Sequence, residues 1–460
     1  ETKNNYIMSV FCENDKFGVA ICDLSTGEFR TTQVEYQDAL LDELNKFQPA
    51  EIICNDGFCI CGMDFEYIRE KIGAIITPVA SYYFEMDHCE KMIQEQYHLR
   101  NLEGIGLKDY PFGIIASGSL LQYLHETQKT SLAHLMELIP YSTQNYMVLD
   151  SSTRRNLELC ETMREKSKKG SLLWVLDKTK TAMGARMLRK MVEQPLIHKQ
   201  AIMDRLDAVE MLKENVMARE ELREYMNSIY DLERLTMKVS YRSANPRDLI
   251  AFKTSIQYLP YIKDILGQFS RGVLADMGGE LDTLEDLYAL LEAAIEEDPP
   301  LSIKEGGILK AGYDEEVDHL KKAKTEGKTW LAELEERERE KTGIKNLRVR
   351  YNKVFGYYIE VTNSYKNLVP EYYIRRQTLA NAERYTTEEL LELARTILGA
   401  EEKLYALEYE RYVEIRELLA AQMERIQKTA HCIARVDAFA SLAVVAEQNG
   451  YVRPSINQRG

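Results

Sequence analysis

The chain has 460 residues, of which 45% are hydrophobic and 29% charged. That balance excludes a disordered or fibrous chain, and the length exceeds what one core supports, so roughly two to four domains are expected. The formal net charge of −15 argues, as an average, against a polyanion partner, but charge has to be read by segment.

No apolar run nears the ~18 residues of a membrane-spanning helix, and Glu1-Thr2-Lys3-Asn4-Asn5 lacks the apolar centre of an export signal. The expectation is a cytoplasmic chain with no membrane partner. Of the eight cysteines, Cys12, Cys22, Cys54, Cys59, Cys61 and Cys89 precede position 90. Cys59-Ile60-Cys61 has one intervening residue rather than the two of a zinc knuckle or redox motif. Reduced thiols are the expectation, with no metal and no cofactor.

Residues 6–12, 18–24 and 29–34 are apolar runs, which predict a three-stranded meander. Phe17-Gly18 is expected at its first turn and Ser25-Thr26-Gly27-Glu28 at its second. Leu40, Leu41, Leu44 and Phe47 have helical spacing over 36–47. Residues 52–54 and 74–77 read as short buried strands with a helix near 65–71 between them, and helices follow near 89–99 and 111–127. Strands alternating with helices predict a mixed sheet with flanking helices over 1–127. From 128 the texture is helical. One short strand is expected at 146–149, then helices at 152–159, 172–176, 183–192, 199–213, 219–239 and 281–295. Pro195, Pro246 and Pro260 punctuate them, and Asp298-Pro299-Pro300 closes the run.

Residues 313–341 predict a charged helix, ~45 Å long at ~1.5 Å per residue, with Leu320, Trp330, Leu331 and Leu334 as its apolar seam and Gly343 as its end. Leu347, Val349 and Tyr351 then alternate with Arg348 and Arg350, the stretch from Asn352 to Gly356 supplies a turn, and 357–362 returns. Residues 373–379 suit a third strand, and Thr386 with Glu389 reads as a capping box opening a new helix. From 387 to 449 there is no proline and one interior glycine, Gly399. Unbroken, that stretch would span ~95 Å, so a break or kink is expected. Two long arms with a small β element at their far tip follow from this spacing.

The tip departs from the average charge. Over 343–385 the basic residues are Lys345, Arg348, Arg350, Lys353, Lys366, Arg375, Arg376 and Arg384 against Glu360, Glu371 and Glu383, a net +5 that leaves the rest of the chain at −20. A positive tip on an acidic body is the electrostatic footprint of a polyanion contact. Amide and hydroxyl side chains that suit phosphate oxygens are interleaved, among them Asn352, Thr378 and Asn381. The candidate contact set is Arg348, Arg350, Asn352, Lys353, Lys366, Arg375, Arg376, Thr378, Asn381 and Arg384. The plain alternative is a solvated hairpin, whose aromatics such as Tyr351, Phe355 and Tyr358 are small-domain core. No recognition helix is visible, so contact would be to the backbone without sequence choice.

Three blocks carry a resemblance. The run Tyr357-Tyr358-Ile359-Glu360-Val361-Thr362, followed by Tyr373-Ile374-Arg375-Arg376-Gln377-Thr378-Leu379-Ala380-Asn381-Ala382-Glu383-Arg384-Tyr385, resembles the clamp of the bacterial MutS mismatch-repair family. Leu149-Asp150, 153–159, Leu176-Asp177 and 181–188 are similar to the start of that family's core, and 18–29 to the first strands of its connector. The blocks run in the family's order over nearly the whole chain. The resemblance implies an α+β multidomain chain. Residues 1–127 would be a ribonuclease-H-like α/β connector, and 128–342 a helical core with the first lever arm. Residues 343–385 would be a small β clamp at the lever tip, and 386–460 the returning lever helix and the end of the core. It also implies duplex DNA held between the clamps of a dimer, MutL contact through the connector, and a cytoplasmic, nucleoid-associated setting.

The departures bear on activity. The family's mismatch-reading domain, with its Phe-x-Glu wedge, would precede Glu1, and its ATPase would follow near Tyr451-Val452-Arg453-Pro454, so an expressed fragment is expected. Gly267 and Gly272 have the spacing of a phosphate-binding loop, but Val273 stands where that loop needs lysine. No ATPase and no mismatch choice are expected here, while ATP, Mg and self-association belong to the parent protein. A nuclease would need convergent carboxylates, whereas Glu13, Asp15 and Asp23 lie mostly at turns. The competing functional readings are a protein-interaction scaffold with little DNA affinity, or a related protein acting on recombination intermediates.

Overall fold

A computed structural model describes residues 4–99, 102, 105–128, 131–143, 146–240 and 242–459. Strands β1 (Tyr6–Glu13) and β2 (Lys16–Asp23) are joined by Asn14 and Asp15, whose φ of 52° and 59° give the left-handed pair that a two-residue hairpin requires. The turn therefore precedes Phe17-Gly18, the pair expected in it, because Phe17 is buried in β2. β3 (Glu28–Val34) completes the meander and α1 (Gln37–Phe47) follows. Next come β4 (Glu51–Cys54), α2 (Asp56–Cys59), α3 (Phe65–Tyr67) running on as a π-helical turn to Ile72, and β5 (Ile75–Pro78). Helices α4 (Met86–Tyr97) and α5 (Pro111–Thr127) and the short β6 (Ile139–Pro140) complete this part.

The sheet order is β5-β4-β1-β2-β3-β6, antiparallel across β1, β2 and β3 and parallel at both flanks. Alternation along β1 sends Met8 and Val10 to the face covered by α1 and Phe11 to the face covered by α4 and α5. Gly18 is needed because α5 crosses β2 closely: a Cβ there would sit 2.0 Å from the Phe112 carbonyl oxygen. β5 is not the buried strand expected, since Ile75 is 70% exposed at the sheet edge.

The helical stretch comprises α6 (Ser151–Asn156), α7 (Leu172–Leu176), α8 (Ala182–Glu193), α9 (Lys199–Glu214) and α10 (Val216–Asn227). It continues with α11 (Leu232–Ser240), α12 (Pro246–Ile256), α13 (Leu259–Leu266), α14 (Gly272–Glu280) and α15 (Glu285–Ala294). Three expectations are corrected. The strand at 146–149 is only an isolated bridge, Tyr146 to Leu196. The single helix at 219–239 is two, because the Tyr230 N–H turns to the Ser255 hydroxyl (2.9 Å) and Asp231 caps the second through the Arg234 N–H (3.2 Å). The helix expected over 281–295 starts later, at Glu285, and α14 precedes it unforeseen. Its glycines lower helix propensity, yet Gly278 lets α14 approach α13, since a Cβ added there would lie only 2.9 Å from that of Leu266.

The chain forms two compact units, Glu1–Ala244 with Asp248–Ala289 and Arg416–Gly460, and Asn245–Arg247 with Leu290–Ile415. In the second unit α16 (Glu315–Thr342) is capped by Asp314, which accepts the Val317 N–H at 2.9 Å, and stops at Gly343 with φ 74°. Strands β7 (Arg348–Asn352), β8 (Gly356–Thr362), β9 (Ile374–Thr378) and β10 (Ala382–Thr386) form a sheet of order β7-β8-β10-β9, and α17 (Glu388–Ala420) begins after it. β10 was unforeseen, its Glu383 and Arg384 hiding a central strand. The helix cap is Thr387, whose hydroxyl accepts the Leu390 N–H at 3.1 Å; Thr386, expected there, ends β10. α16 and α17 run antiparallel. Asp314 meets Arg411 (2.8 Å), Lys324 meets Glu401 (3.4 Å), Gly327 abuts Ile397 and Arg337 pairs with Glu389.

In the first unit the returning helix α18 (Met423–Asn449) is the axis against which α8, α9, α10 and α11 pack. The long helical stretch thus breaks after Ala420, as a break or kink was expected. Asp437 on α18 is fully buried and accepts from the Lys180 N–H (2.9 Å), the Thr181 N–H (2.7 Å) and the Thr181 hydroxyl (2.6 Å). By length and average composition α18 is the one helix among the described residues that could cross a membrane, although Arg435 and Asp437 interrupt its apolar run and 72% of its apolar window is buried inside the protein.

Candidate nucleic-acid interface

The last turn of α16 seats the sheet of the second unit. Glu338, 4% exposed, accepts from the Tyr372 hydroxyl (2.7 Å) and the Tyr373 hydroxyl (2.8 Å). Burial first, then the Glu338 hydrogen bond, raises both phenols, Tyr372 to about 12 and Tyr373 further. The Arg339 guanidinium donates to the Leu347 carbonyl (2.8 Å) and Glu335 accepts the Val349 N–H (3.2 Å), which fixes the entry to β7. Leu331, Leu334, Leu347, Ile359, Val361 and Tyr385 close the core on that side.

The opposite face is basic. Cross-strand pairing puts Arg348, Glu360, Arg384 and Gln377 in one row over all four strands. Arg350 lies opposite Tyr358 and reaches Glu360 at 3.2 Å. The Arg384 guanidinium lies 4.4 Å over the Tyr358 ring and donates to Gln377 at 2.8 Å. Tyr358 is thus covered by arginine rather than by apolar neighbours alone, and the cation–π contact holds Arg384 flat on the sheet.

The ten candidate residues separate by environment. Arg348 on β7, Lys353 in the β7–β8 turn, and Arg375 and Arg376 on the edge strand β9 are exposed and have no ion pair among the described residues. Lys345, counted in the tip's charge but left out of the candidate set, is exposed in the same way between Gly343 and β7; its place before the strand gave no signal. Arg350 and Lys366 are compensated, Lys366 by Glu383 at 3.0 Å. The Tyr385 hydroxyl, then Lys366, holds Glu383 below the usual carboxylate range. Asn352 is committed to the turn, its side-chain Oδ1 accepting the Val354 N–H (2.7 Å) and the Phe355 N–H (3.4 Å). Thr378 and Asn381 are exposed at the β9–β10 turn. Charged edge strands also discourage edge-to-edge pairing, a structural use of the same arginines.

Other candidate chemistry falls elsewhere. A cleft of about 320 Å³ in the first unit is lined by Glu28, Arg30, Arg186, Lys190, Glu233 and His431 among others. Burial opposes ionisation of Glu28, but Lys190 at 2.7 Å and Arg30 at 3.0 Å outweigh it and bring Glu28 down to about 2. Burial, then the Arg435, Lys190 and Arg30 charges, lowers His431 to about 4. Acids and bases balance there, unlike at the tip. Asp23 caps its turn through the Ser25 N–H (2.8 Å) and hydroxyl (2.6 Å), and among the described residues no group of His, Cys, Asp or Glu has a metal-holding arrangement. Gly267 and Gly272 link α13 to α14 rather than a strand to a helix, so these residues do not fit a nucleotide phosphate cradle.

A family model described as MutS domain II matches residues 5–136, and one described as MutS domain III matches 152–443. The chain belongs to the MutS family. A protein named DNA mismatch repair protein MutS from Lachnoclostridium phytofermentans is 54% identical over 460 residues, covering 100% of this chain and 49% of the relative. Proteins of the same name from Ruminiclostridium cellulolyticum and Acetivibrio thermocellus are 49% and 47% identical, each over 99% of this chain and 52% of their own length. The chain spans about half the length of the curated MutS relatives it matches.

Proposed function

We propose that this chain is the DNA-holding middle of a MutS mismatch-repair protein, gripping the duplex backbone without sequence choice through the sheet at 343–385. The observation that carries this reading is the net +5 of that segment, with Arg348, Lys353, Arg375 and Arg376 exposed and without an ion pair among the described residues, on a chain of net charge −15. Phosphates accept from such free cations, whereas Arg350 and Lys366 would first have to leave their carboxylates. Arg384 and Asn352 are assigned to shaping the sheet, and Thr378 and Asn381 to secondary phosphate contacts.

The remaining assignments rest on the family. Residues 1–127 are proposed as a ribonuclease-H-like connector, which a meander continued by two parallel strands supports. The connector is the proposed surface for MutL. Residues 128–342 and 386–460 are proposed as core and lever arms, which the antiparallel pairing of α16 and α17 supports. Mismatch choice, ATP hydrolysis with Mg, and stable dimerisation are placed with the rest of the relatives' length, in a cytoplasmic, nucleoid-associated protein. The test is fluorescence anisotropy with a duplex of roughly 30 base pairs, matched and mismatched, at about 50 and 200 mM salt. Affinity should fall steeply with salt, and Arg375→Ala with Arg376→Ala should weaken both duplexes equally. Binding unchanged in that double variant removes the tip assignment; no binding at either salt favours the scaffold reading.

A further inference from the structure

Four thiols that duplex binding does not use come together at one end of the six-stranded sheet. β1 and β4 run parallel, so Cys12 and Cys54 lie at neighbouring C-terminal ends. The Asn55 side chain locks α2 onto β1, accepting the Cys12 N–H (2.9 Å) and donating to the Cys12 carbonyl (2.9 Å). Gly57 completes the fit, since a Cβ there would lie 2.4 Å from the Cys12 carbonyl oxygen. This lock brings the Cys54 and Cys59 sulfurs to 3.8 Å. Their surroundings differ: Cys54 is 0% exposed, while Cys59 is open to solvent. The Cys61 thiol, half-buried, is turned to Cys12 instead.

We propose that Cys54 and Cys59 are a peroxide-reactive pair that closes to a disulfide, with exposed Cys59 as the sulfur attacked first. The Cys59 thiolate sulfur attacks one oxygen of a hydroperoxide, the O–O bond breaks, and the departing oxygen leaves as water or alcohol after taking a proton. Cys59 is then a sulfenic acid. The Cys54 sulfur gives up its proton and displaces that hydroxyl as water, forming the S–S bond. With hydrogen peroxide, two thiols and one peroxide give one disulfide and two waters. The S–S bond is ~2.0 Å, so the sulfurs must close by ~1.8 Å from contact, which rotation of the Cys59 side chain at the end of α2 can supply. Burial pushes the Cys54 thiol up. The intermediate Cys59 sulfenic acid is the species that dimedone would trap.

The test uses the whole chain. Protein treated with hydrogen peroxide is unfolded in iodoacetamide without reductant and weighed. The untreated chain, with eight free cysteines, takes eight alkyl groups; the oxidised chain is expected to take two fewer. Cleavage before aspartate separates Cys54, in 42–55, from Cys59 and Cys61, in 56–63. These peptides should emerge linked, also in Cys61→Ser, and part on reduction. Cys59→Ser, a change at an exposed site, should abolish the link and leave every remaining thiol alkylated. Full alkylation of the oxidised protein, a link lost in Cys61→Ser, a bond within 56–63, or a bond between two chains would each overturn the proposal.

Discussion

Glu338 is where the β tip is fastened to its helix, and removing its carboxylate should loosen the sheet in a way that singles out one tyrosine. Glu338 accepts two phenolic hydrogen bonds, but Tyr373 is 7% exposed and Tyr372 45%. A buried hydrogen bond to a charged acceptor contributes about 1.5–3 kcal/mol, and one open to water far less. Glu338→Ala, which keeps a good helix former, should therefore cost about 2–4 kcal/mol, including the orphaned Tyr373 hydroxyl. In double-mutant cycles the coupling with Tyr373→Phe should be about 2 kcal/mol and with Tyr372→Phe under about 0.5 kcal/mol. Because a chain of two units need not unfold in one step, the readout is native-state hydrogen exchange of the β9 and β10 amides. Equal couplings for the two tyrosines, or none for Tyr373, would refute the reasoning.

Two predictions concern the first unit. Glu28 sits at about 2 against an ordinary 4.5. Its stabilisation is thus present above pH ~4.5 and lost as pH falls toward ~2, roughly 3 kcal/mol in all. The calorimetric penalty of Glu28→Gln should shrink from pH ~6 to pH ~2.5, and an equal penalty at both would contradict the ion-pair origin. Asp437→Ala strands three donors, the two of Thr181 buried, and should cost about 3–5 kcal/mol in urea unfolding. Gly184→Ala, whose Cβ would fall 2.1 Å from the Asp437 carboxylate, should cost on the order of 2 kcal/mol; a neutral effect would show that the α8–α18 contact is looser than described.

Much of this was legible in the chain. Periodicity marked the meander, α1, α5 and the charged helix before Gly343, and the residue count marked the tip as basic. What escaped was set by contacts distant in sequence. Asn14-Asp15 closes the first hairpin because Phe17 is drawn into the core, though Phe17-Gly18 looks like a turn. α14 is rich in glycine and invisible to propensity until α13 presses on Gly278. β10 carries Glu383 and Arg384 in a central strand because Lys366 and Tyr385 compensate the acid and Tyr358 supports the arginine. At the tip, composition named the cations but not their partners. That Arg350 and Lys366 are paired, while Arg348, Lys353, Arg375 and Arg376 have no ion pair among the described residues, depends on register, which composition does not carry.

The most direct measurement is therefore the salt dependence of duplex binding in two variants. One is Arg348→Ala, Lys353→Ala, Arg375→Ala and Arg376→Ala together; the other is the charge-neutral Arg350→Ala with Glu360→Ala. Each phosphate neutralised contributes about 0.9 to the slope of log affinity against log salt, so the first variant should flatten it by up to ~3.6 and the second by less than ~0.5. An unchanged slope in the first, or equal losses in both, would contradict a grip made by the unpaired cations of the tip.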